Sequence, residues 1–178
     1  MDRPDPGARK TVVLVDTNVI IEAVRTACWN ALAGGRTVET VRECRDETQR
    51  GNPHRPGYVT VGAPELGGLA AVHDVTEAAR ARLALQYADA PGMDPGERDL
   101  MAHALDRVER GDRVWVACSP DHATVRAASA LDLADHLASL EQLADSVGAR
   151  PARPLKTQFL SRWLSDSRLR HRPHSPGS

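Results

Sequence analysis

The sequence predicts an α/β fold, a three-layer α/β/α sandwich around a central and mostly parallel sheet. The first observation is a short, unbroken apolar run at residues 12–15, which ends in the polar triplet Asp16-Thr17-Asn18. A second such run lies at residues 114–118. Runs of this kind are typical of strands that are buried on both faces. Helical patterns follow both runs, and strands that alternate with helices indicate parallel pairing with right-handed crossovers.

Start and stop signals place the individual elements. The first helical pattern, at residues 17–33, has apolar positions at i,i+4 steps and stops at Gly34-Gly35. Thr40 and Glu43 fit a capping box that would open a second helix. Asp94-Pro95 indicates another helix start, with Asp94 as its N-cap and Pro95 at the first helical position. In chain order we predict strand 11–15, helix 17–33, strand 36–39 and helix 40–50. Residues 58–61 are either a short strand or part of an irregular insert that runs to residue 68. A short strand near 72–75, helices 76–88 and 94–110, strand 114–118, and helices 119–130, 139–147 and 155–170 follow.

Length and composition favour one globular, soluble domain. The chain has 178 residues and a net charge of −1, so its bulk charge does not indicate a nucleic-acid partner. We divide it into a disordered lead-in at residues 1–10, a main domain at 11–150 and a basic C-terminal helix and tail at 151–178. The three cysteines share no metal-ligand spacing, and no apolar run is long enough to cross a membrane. These features favour a reducing, cytoplasmic location.

Four acids stand at predicted helix starts near the carboxyl ends of strands: Asp16, Glu43, Glu97 and Asp121. Helices that follow parallel strands begin at one edge of the sheet, so we expect these carboxylates to converge there. Converging carboxylates repel one another unless a cation compensates their charge. Mg²⁺ and Mn²⁺ prefer oxygen ligands. The sequence therefore predicts a Mg²⁺ or Mn²⁺ site at this edge.

Each of the four acids also has a structural interpretation. Glu43 and Glu97 occupy the third position of helix starts and could serve as caps, and Asp121 favours the helix dipole. Asp16 is harder to explain in this way, because a carboxylate that ends an apolar strand costs stability unless it is paired. Asp99 is the alternative to Glu97 as third ligand.

Asp99, His103 and Asp106 share one face of the predicted helix 94–110, and we expect a solvated stripe there. The seven histidines form no His-x-x-x-His pair and have no cysteine at zinc spacing. Only His122 is close to a proposed ligand in the sequence.

The Asp16-Thr17-Asn18 triplet after an apolar strand resembles the opening of PIN-domain ribonucleases, including the toxins of bacterial toxin–antitoxin pairs. The segment Gly96-Glu97-Arg98-Asp99-Leu100 resembles the part of that family that carries the third acid. Glu43 corresponds to the second acid, and the strand that leads into Ser119-Pro120-Asp121 corresponds to the last catalytic strand. The resemblance covers roughly residues 11–150.

This resemblance implies a metal-dependent endoribonuclease, with Asp16, Glu43, Glu97 and Asp121 as ligands of Mg²⁺ or Mn²⁺. Asn18 and Ser119 would orient ligands or water. The implied role is a toxin or defence effector, and its partners would be an RNA substrate and a cognate antitoxin or inhibitor protein.

Other interpretations remain open. Pro120 stands where the family commonly has a polar residue, which favours a PIN-like module that binds RNA or a partner without catalysis. A phosphatase of the haloacid dehalogenase type is a weaker alternative. Its nucleophile loop requires a second Asp two residues after the first, and here Asn18 occupies that position. The helical stripes suit either a homodimer or a packed core.

The C-terminal segment is basic. From residue 150 to the end it contains seven arginines and lysines and only one acid. Four of the basic residues are candidates for phosphate binding: Arg150, Arg153, Lys156 and Arg162.

Overall fold

The computed structural model describes residues 11–172, so the predicted lead-in at 1–10 and the last residues of the tail, 173–178, lie outside the described residues. The strands are β1 (Val12–Val15), β2 (Thr37–Val41), β3 (Ala71–His73) and β4 (Trp115–Cys118). The helices are α1 (Thr17–Arg25), α2 (Trp29–Gly35), α3 (Arg42–Glu47), α4 (Ala63–Leu66), α5 (Glu77–Gln86), α6 (Pro95–Glu109), α7 (His122–Ala130), α8 (Leu140–Ser146) and α9 (Ser161–Arg170).

The four strands form one parallel sheet in the order β3-β2-β1-β4. β1 therefore lies in the interior of the sheet, where Leu14 pairs with Glu39 on one side and with Ala117 on the other. The parallel sheet confirms the predicted α/β class and is consistent with a three-layer α/β/α sandwich. The chain switches direction at β1, which has β2 on one side and β4 on the other, and ligand crevices of open α/β sheets form at such points.

Two apolar clusters cover the two faces of the sheet. Because successive strand residues point to opposite faces, Val13 and Val15 pack in the cluster of α1, α2 and α8, whereas Leu14 packs in the cluster of α5, α6 and α7. All three side chains are fully buried. This double burial explains why β1 is an uninterrupted apolar run and why its end is held in a fixed position.

The first two helix predictions were wrong in detail. The first helix is not continuous, because the chain leaves it at Thr26 and passes through Ala27, whose φ of 60° is left-handed, before α2 begins. The hydroxyl of Thr40 does not cap α3. It donates instead to the carbonyl of Val15, at 2.6 Å, so that β2 continues to Val41 and α3 begins two residues later than predicted.

The C-terminal segment packs on the sandwich. The backbone N–H of Lys156 donates to the buried carboxylate of Glu22, at 2.9 Å, and Arg25 donates to the carbonyl of Pro154. Phe159 and Leu164 are buried, one in each apolar cluster. Residues 58–61 form no strand. Within residues 11–172, no helix is both long and apolar enough to span a membrane.

Candidate metal centre

Asp16 is a buried carboxylate with one occupied and one free oxygen. It ends β1 and caps α1, where its Oδ1 accepts a hydrogen bond from the Val19 backbone N–H at 2.8 Å. Its Oδ2 is buried and has no hydrogen-bond partner among the described residues. Burial, with a smaller contribution from the charge of Asp121, raises the pKa of Asp16 to about 7. A buried carboxylate oxygen without a hydrogen-bond partner lowers stability, and a ligand from outside the chain would satisfy it.

Glu97 approaches the same point from the first turn of α6. Its side chain is buried, and burial raises its pKa to about 8 with help from the charges of Asp121, Asp16 and Asp94. Asp121 follows β4 and caps α7, where its Oδ1 accepts from the Ala123 N–H at 2.6 Å. The structure thus brings Asp16, Glu97 and Asp121 together, close enough for each charge to act on the others.

The fourth predicted acid, Glu43, does not line the cavity in which Asp16 and Glu97 lie. Its carboxylate forms an ion pair with Arg50 at 2.8 Å. Glu47, one turn further along α3, takes the place assigned to Glu43. The Thr17 hydroxyl donates to Oε2 of Glu47 at 2.5 Å, and both residues line a cavity of about 230 Å³. Because a helical turn takes 3.6 residues, Glu43 and Glu47 lie on nearly the same side of α3, one turn apart, and the later of the two lines the cavity.

Asp94 is a further acid at the rim of the cavity. It was predicted to cap α6, but its side chain makes no capping hydrogen bond. It is exposed, lines the cavity and contributes to the raised pKa of Glu97. The cavity is lined by eight residues: Asp16, Thr17, Asn18, Cys44, Glu47, Asp94, Pro95 and Glu97. Asp121 is not among them, and its link to the cavity is its electrostatic effect on Asp16 and Glu97.

The two predicted supporting residues lie near the acids. Asn18 is exposed and lines the cavity. Ser119 is buried beside Asp16, where its hydroxyl acts to lower the pKa of that carboxyl. The same hydroxyl donates to Thr124 at 3.2 Å and accepts from the Asp121 N–H at 3.4 Å. Ser119 therefore connects the ends of β1 and β4.

The predicted solvated stripe on α6 is wrong for two of its three members. Asp99 is 4% exposed and His103 is 7% exposed. Both oxygens of Asp99 accept from the Arg80 guanidinium at 2.7 Å, so its charge is compensated on the side of α5. Asp99 does not line the acid cavity, which leaves Glu97 as the carboxylate that α6 supplies.

The four basic candidates for nucleic-acid binding are exposed, and none lines the acid cavity. Lys156 lies 3.9 Å from the Glu22 carboxylate, and Arg153 lines a separate surface cavity with Glu141 and Asp145. His122 contacts Trp163 and His171 through ring interactions.

The residue types present fit a hard divalent cation, which prefers oxygen ligands. Asp16, Glu47 and Glu97 line the cavity, Asp121 acts electrostatically on Asp16 and Glu97, and Oδ2 of Asp16 is unpaired. Among the described residues, no three of these carboxylates place ligand oxygens within 4.8 Å of one another, so ion binding requires them to move closer. Burial and, to a smaller extent, the neighbouring negative charges raise the pKa values of Asp16 and Glu97, so both carboxylates are costly to ionise without a compensating charge. A bound cation would remove that cost.

Together the parallel sheet and the acids at its carboxyl edge define an α/β protein with a candidate metal centre. Comparison of the chain with protein-family models, curated proteins and solved structures gives no match.

The sequence analysis missed Glu47 and Asp94 for different reasons. Glu47 lies three residues after the buried Cys44, so helical spacing could have placed both on the same side of α3. Asp94 was assigned to capping, and the sequence carries no signal that its side chain leaves that role.

Proposed function

We propose that this chain is a metal-dependent phosphodiesterase that cleaves RNA, as its resemblance to PIN-domain ribonucleases implies. The observation that carries the proposal is the convergence of Asp16, Glu97 and Asp121, with an unpaired buried oxygen on Asp16. Asp16, Glu47, Glu97 and Asp121 would hold Mg²⁺ or Mn²⁺. When bound, such an ion activates a water for attack on phosphorus and stabilises the leaving oxygen.

The chain's own residues position the ligands. The Val19 and Ala123 N–H groups fix one oxygen each of Asp16 and Asp121, leaving the second oxygen of each carboxylate for the ion. The Thr17 hydroxyl does the same for Glu47. These contacts orient the carboxylates before any ion binds, and orienting contacts of this kind typically change metal affinity or activity 10–100-fold.

The test is cleavage of a fluorophore-labelled single-stranded RNA by the purified chain with Mn²⁺. We expect cleavage that EDTA abolishes and that Asp16→Asn reduces by at least about 100-fold. Asp145→Asn, an exposed acid on α8, is the matched control and should cleave like the wild type. Cleavage that persists in EDTA or in Asp16→Asn would falsify the proposal, and cleavage of DNA alone would change its substrate.

Pro120 favours a second candidate, a PIN-like module that binds RNA or a partner protein without cleaving it. Proline supplies no side-chain ligand, and it stands between Ser119 and Asp121 at the edge of the site. Calorimetry with Mn²⁺ separates the two candidates, because a chain that binds no Mn²⁺ at millimolar concentration supports the module.

The proposed biological role is that of a toxin or defence effector. In that role a small inhibitor protein would bind the chain and block the acid cavity. Co-expression with the product of a neighbouring small reading frame tests this role, and we expect a stable complex in which RNA cleavage is suppressed.

A further inference from the structure

A second cluster of metal-ligating side chains lies on the α6 face of the sheet, apart from the acid cavity. Glu39 of β2, His73 at the end of β3 and His103 of α6 each place one ligand atom within 4.8 Å of the other two. The Nε2 atom of His73 lies 2.8 Å from Oε2 of Glu39, and the two imidazole rings stack at 4.1 Å. His103 is six residues beyond Glu97, which is about 9 Å along the helix.

His103 carries an unexplained buried atom. The residue is more than nine-tenths buried, and its Nε2 has no hydrogen-bond partner among the described residues. An unsatisfied buried ring nitrogen costs stability, and neither the apolar core nor the acid cavity explains it. One ring nitrogen of the same residue belongs to the cluster with Glu39 and His73.

Arg107 already binds the Glu39 carboxylate, so a cation would compete with it for that group. It donates to Oε2 of Glu39 at 2.8 Å and also pairs with Asp112 at 2.6 Å. Because Asp112 can retain the guanidinium and Glu39 has two oxygens, one oxygen of Glu39 can bind an ion while Arg107 stays in place.

We propose that Glu39, His73 and His103 form a binding site for a divalent transition-metal ion of the zinc class. Two imidazole nitrogens and a carboxylate oxygen are a ligand set that zinc takes, with water as the fourth ligand, whereas Mg²⁺ favours oxygen alone. The ligand atoms lie within 4.8 Å of one another, so binding requires them to move to spacings of about 3.3 Å and the stacked rings to turn apart. The ion would then connect β2, β3 and α6.

This site is independent of the proposed ribonuclease, since it shares no residue with the acid cavity. The test is a calorimetric titration of the full chain with Zn²⁺ in a buffer that contains millimolar Mg²⁺, which is a poor competitor for imidazole. We expect one Zn²⁺ per chain with a dissociation constant in the micromolar range or below. His73→Gln and His103→Gln should each weaken binding at least about 100-fold. His54→Gln, in an exposed loop, is the matched control and should bind like the wild type.

His73 is partly exposed, so His73→Gln tests the site even where replacing the buried His103 unfolds the chain. Nitrogen-15 NMR of the imidazoles adds a direct readout, and we expect Zn²⁺ to shift the ring nitrogens of His73 and His103 but not those of His54. Zn²⁺ binding retained in His73→Gln, or absent up to about 0.1 mM in the wild type, overturns the proposal. Asp16→Asn should leave Zn²⁺ binding unchanged, so failure of the ribonuclease proposal does not affect this one.

Discussion

Glu43 and Glu47 stand one turn apart on α3 and have different environments. Glu43 is paired with Arg50, whereas Glu47 accepts a hydrogen bond from Thr17 and lines the acid cavity. We expect Glu47→Gln to weaken Mn²⁺ binding and RNA cleavage by at least about 10-fold, because it removes one charge from the ligand set.

Glu43→Gln is the matched substitution on the same helix, and it should change Mn²⁺ affinity less than about twofold. Calorimetry on both variants checks the pair. A larger loss in Glu43→Gln than in Glu47→Gln would restore the assignment made from the sequence.

Asp99 is a buried carboxylate whose charge depends on one partner. Arg80 binds both of its oxygens at 2.7 Å. Arg80→Met leaves that charge buried and unpaired, so we expect the free energy of unfolding to fall by about 3 kcal/mol. Urea denaturation measures the change.

Arg42→Met is the control for this prediction, because its pair with Asp74 is solvent-exposed and should contribute little. Mn²⁺ affinity should be unchanged in Arg80→Met. A loss of Mn²⁺ binding there would return Asp99 to the metal site as the alternative to Glu97.

At the scale of elements, α6 must pass very close to α3 for the acids to meet. A methyl group on Gly96 would lie 3.0 Å from Sγ of the buried Cys44 and 2.8 Å from Oε2 of Glu47. Gly96→Ala therefore has to push α6 away or displace Glu47, and we expect weaker Mn²⁺ binding together with lower stability.

Gly92 offers the matched control just before α6. It has open space where a Cβ would lie, and its φ is not left-handed. Gly92→Ala should leave both thermal unfolding and Mn²⁺ affinity unchanged. If the two substitutions had equal effects, the close approach of α6 to α3 would not be the cause of the weaker Mn²⁺ binding and lower stability in Gly96→Ala.

The elements also show what local sequence can predict. β1, β4 and α6 were placed to within one residue, because an apolar run or an Asp-Pro start is a local signal. The start of α3 was placed less accurately. The Thr40 hydroxyl could either cap α3 or donate to a distant carbonyl, and it donates to Val15, which is 25 residues away in the sequence.

For the whole molecule, the parallel sheet and the convergence of Asp16, Glu97 and Asp121 could be predicted, since parallel strands end at one edge. The Glu39, His73 and His103 cluster could not, because its members lie far apart in sequence and follow no ligand spacing. His103 looked solvent-facing on α6 alone, and only the packing of α6 on β2 and β3 buries it.

The free energy of unfolding of the whole chain should depend on pH through the buried acids Asp16 and Glu97. Asp16 and Glu97 have pKa values of about 7 and about 8 in the folded state, against 3.8 and 4.5 for unperturbed groups. Between about pH 4 and about pH 8 the folded chain therefore holds protons that the unfolded chain has lost, and stability falls as pH rises through this range. His103, whose pKa is lowered to about 4, acts in the opposite sense, but only below the ordinary histidine range near 6.5.

Between pH 7 and pH 8 we expect the metal-free chain to lose roughly 1 kcal/mol of unfolding free energy. Asp16→Asn should be more stable than the wild type at pH 8 and should show a flatter dependence, since it removes one of the two titrating carboxyls. Mn²⁺ should reverse the trend in the wild type, because binding displaces the remaining protons and stabilises the folded state by about 2.7 kcal/mol at 100 times its dissociation constant. Urea denaturation at pH 7 and pH 8, with EDTA or Mn²⁺, measures all three effects, and a wild-type stability that rises over this interval in EDTA would contradict the buried, crowded carboxylates on which the site rests.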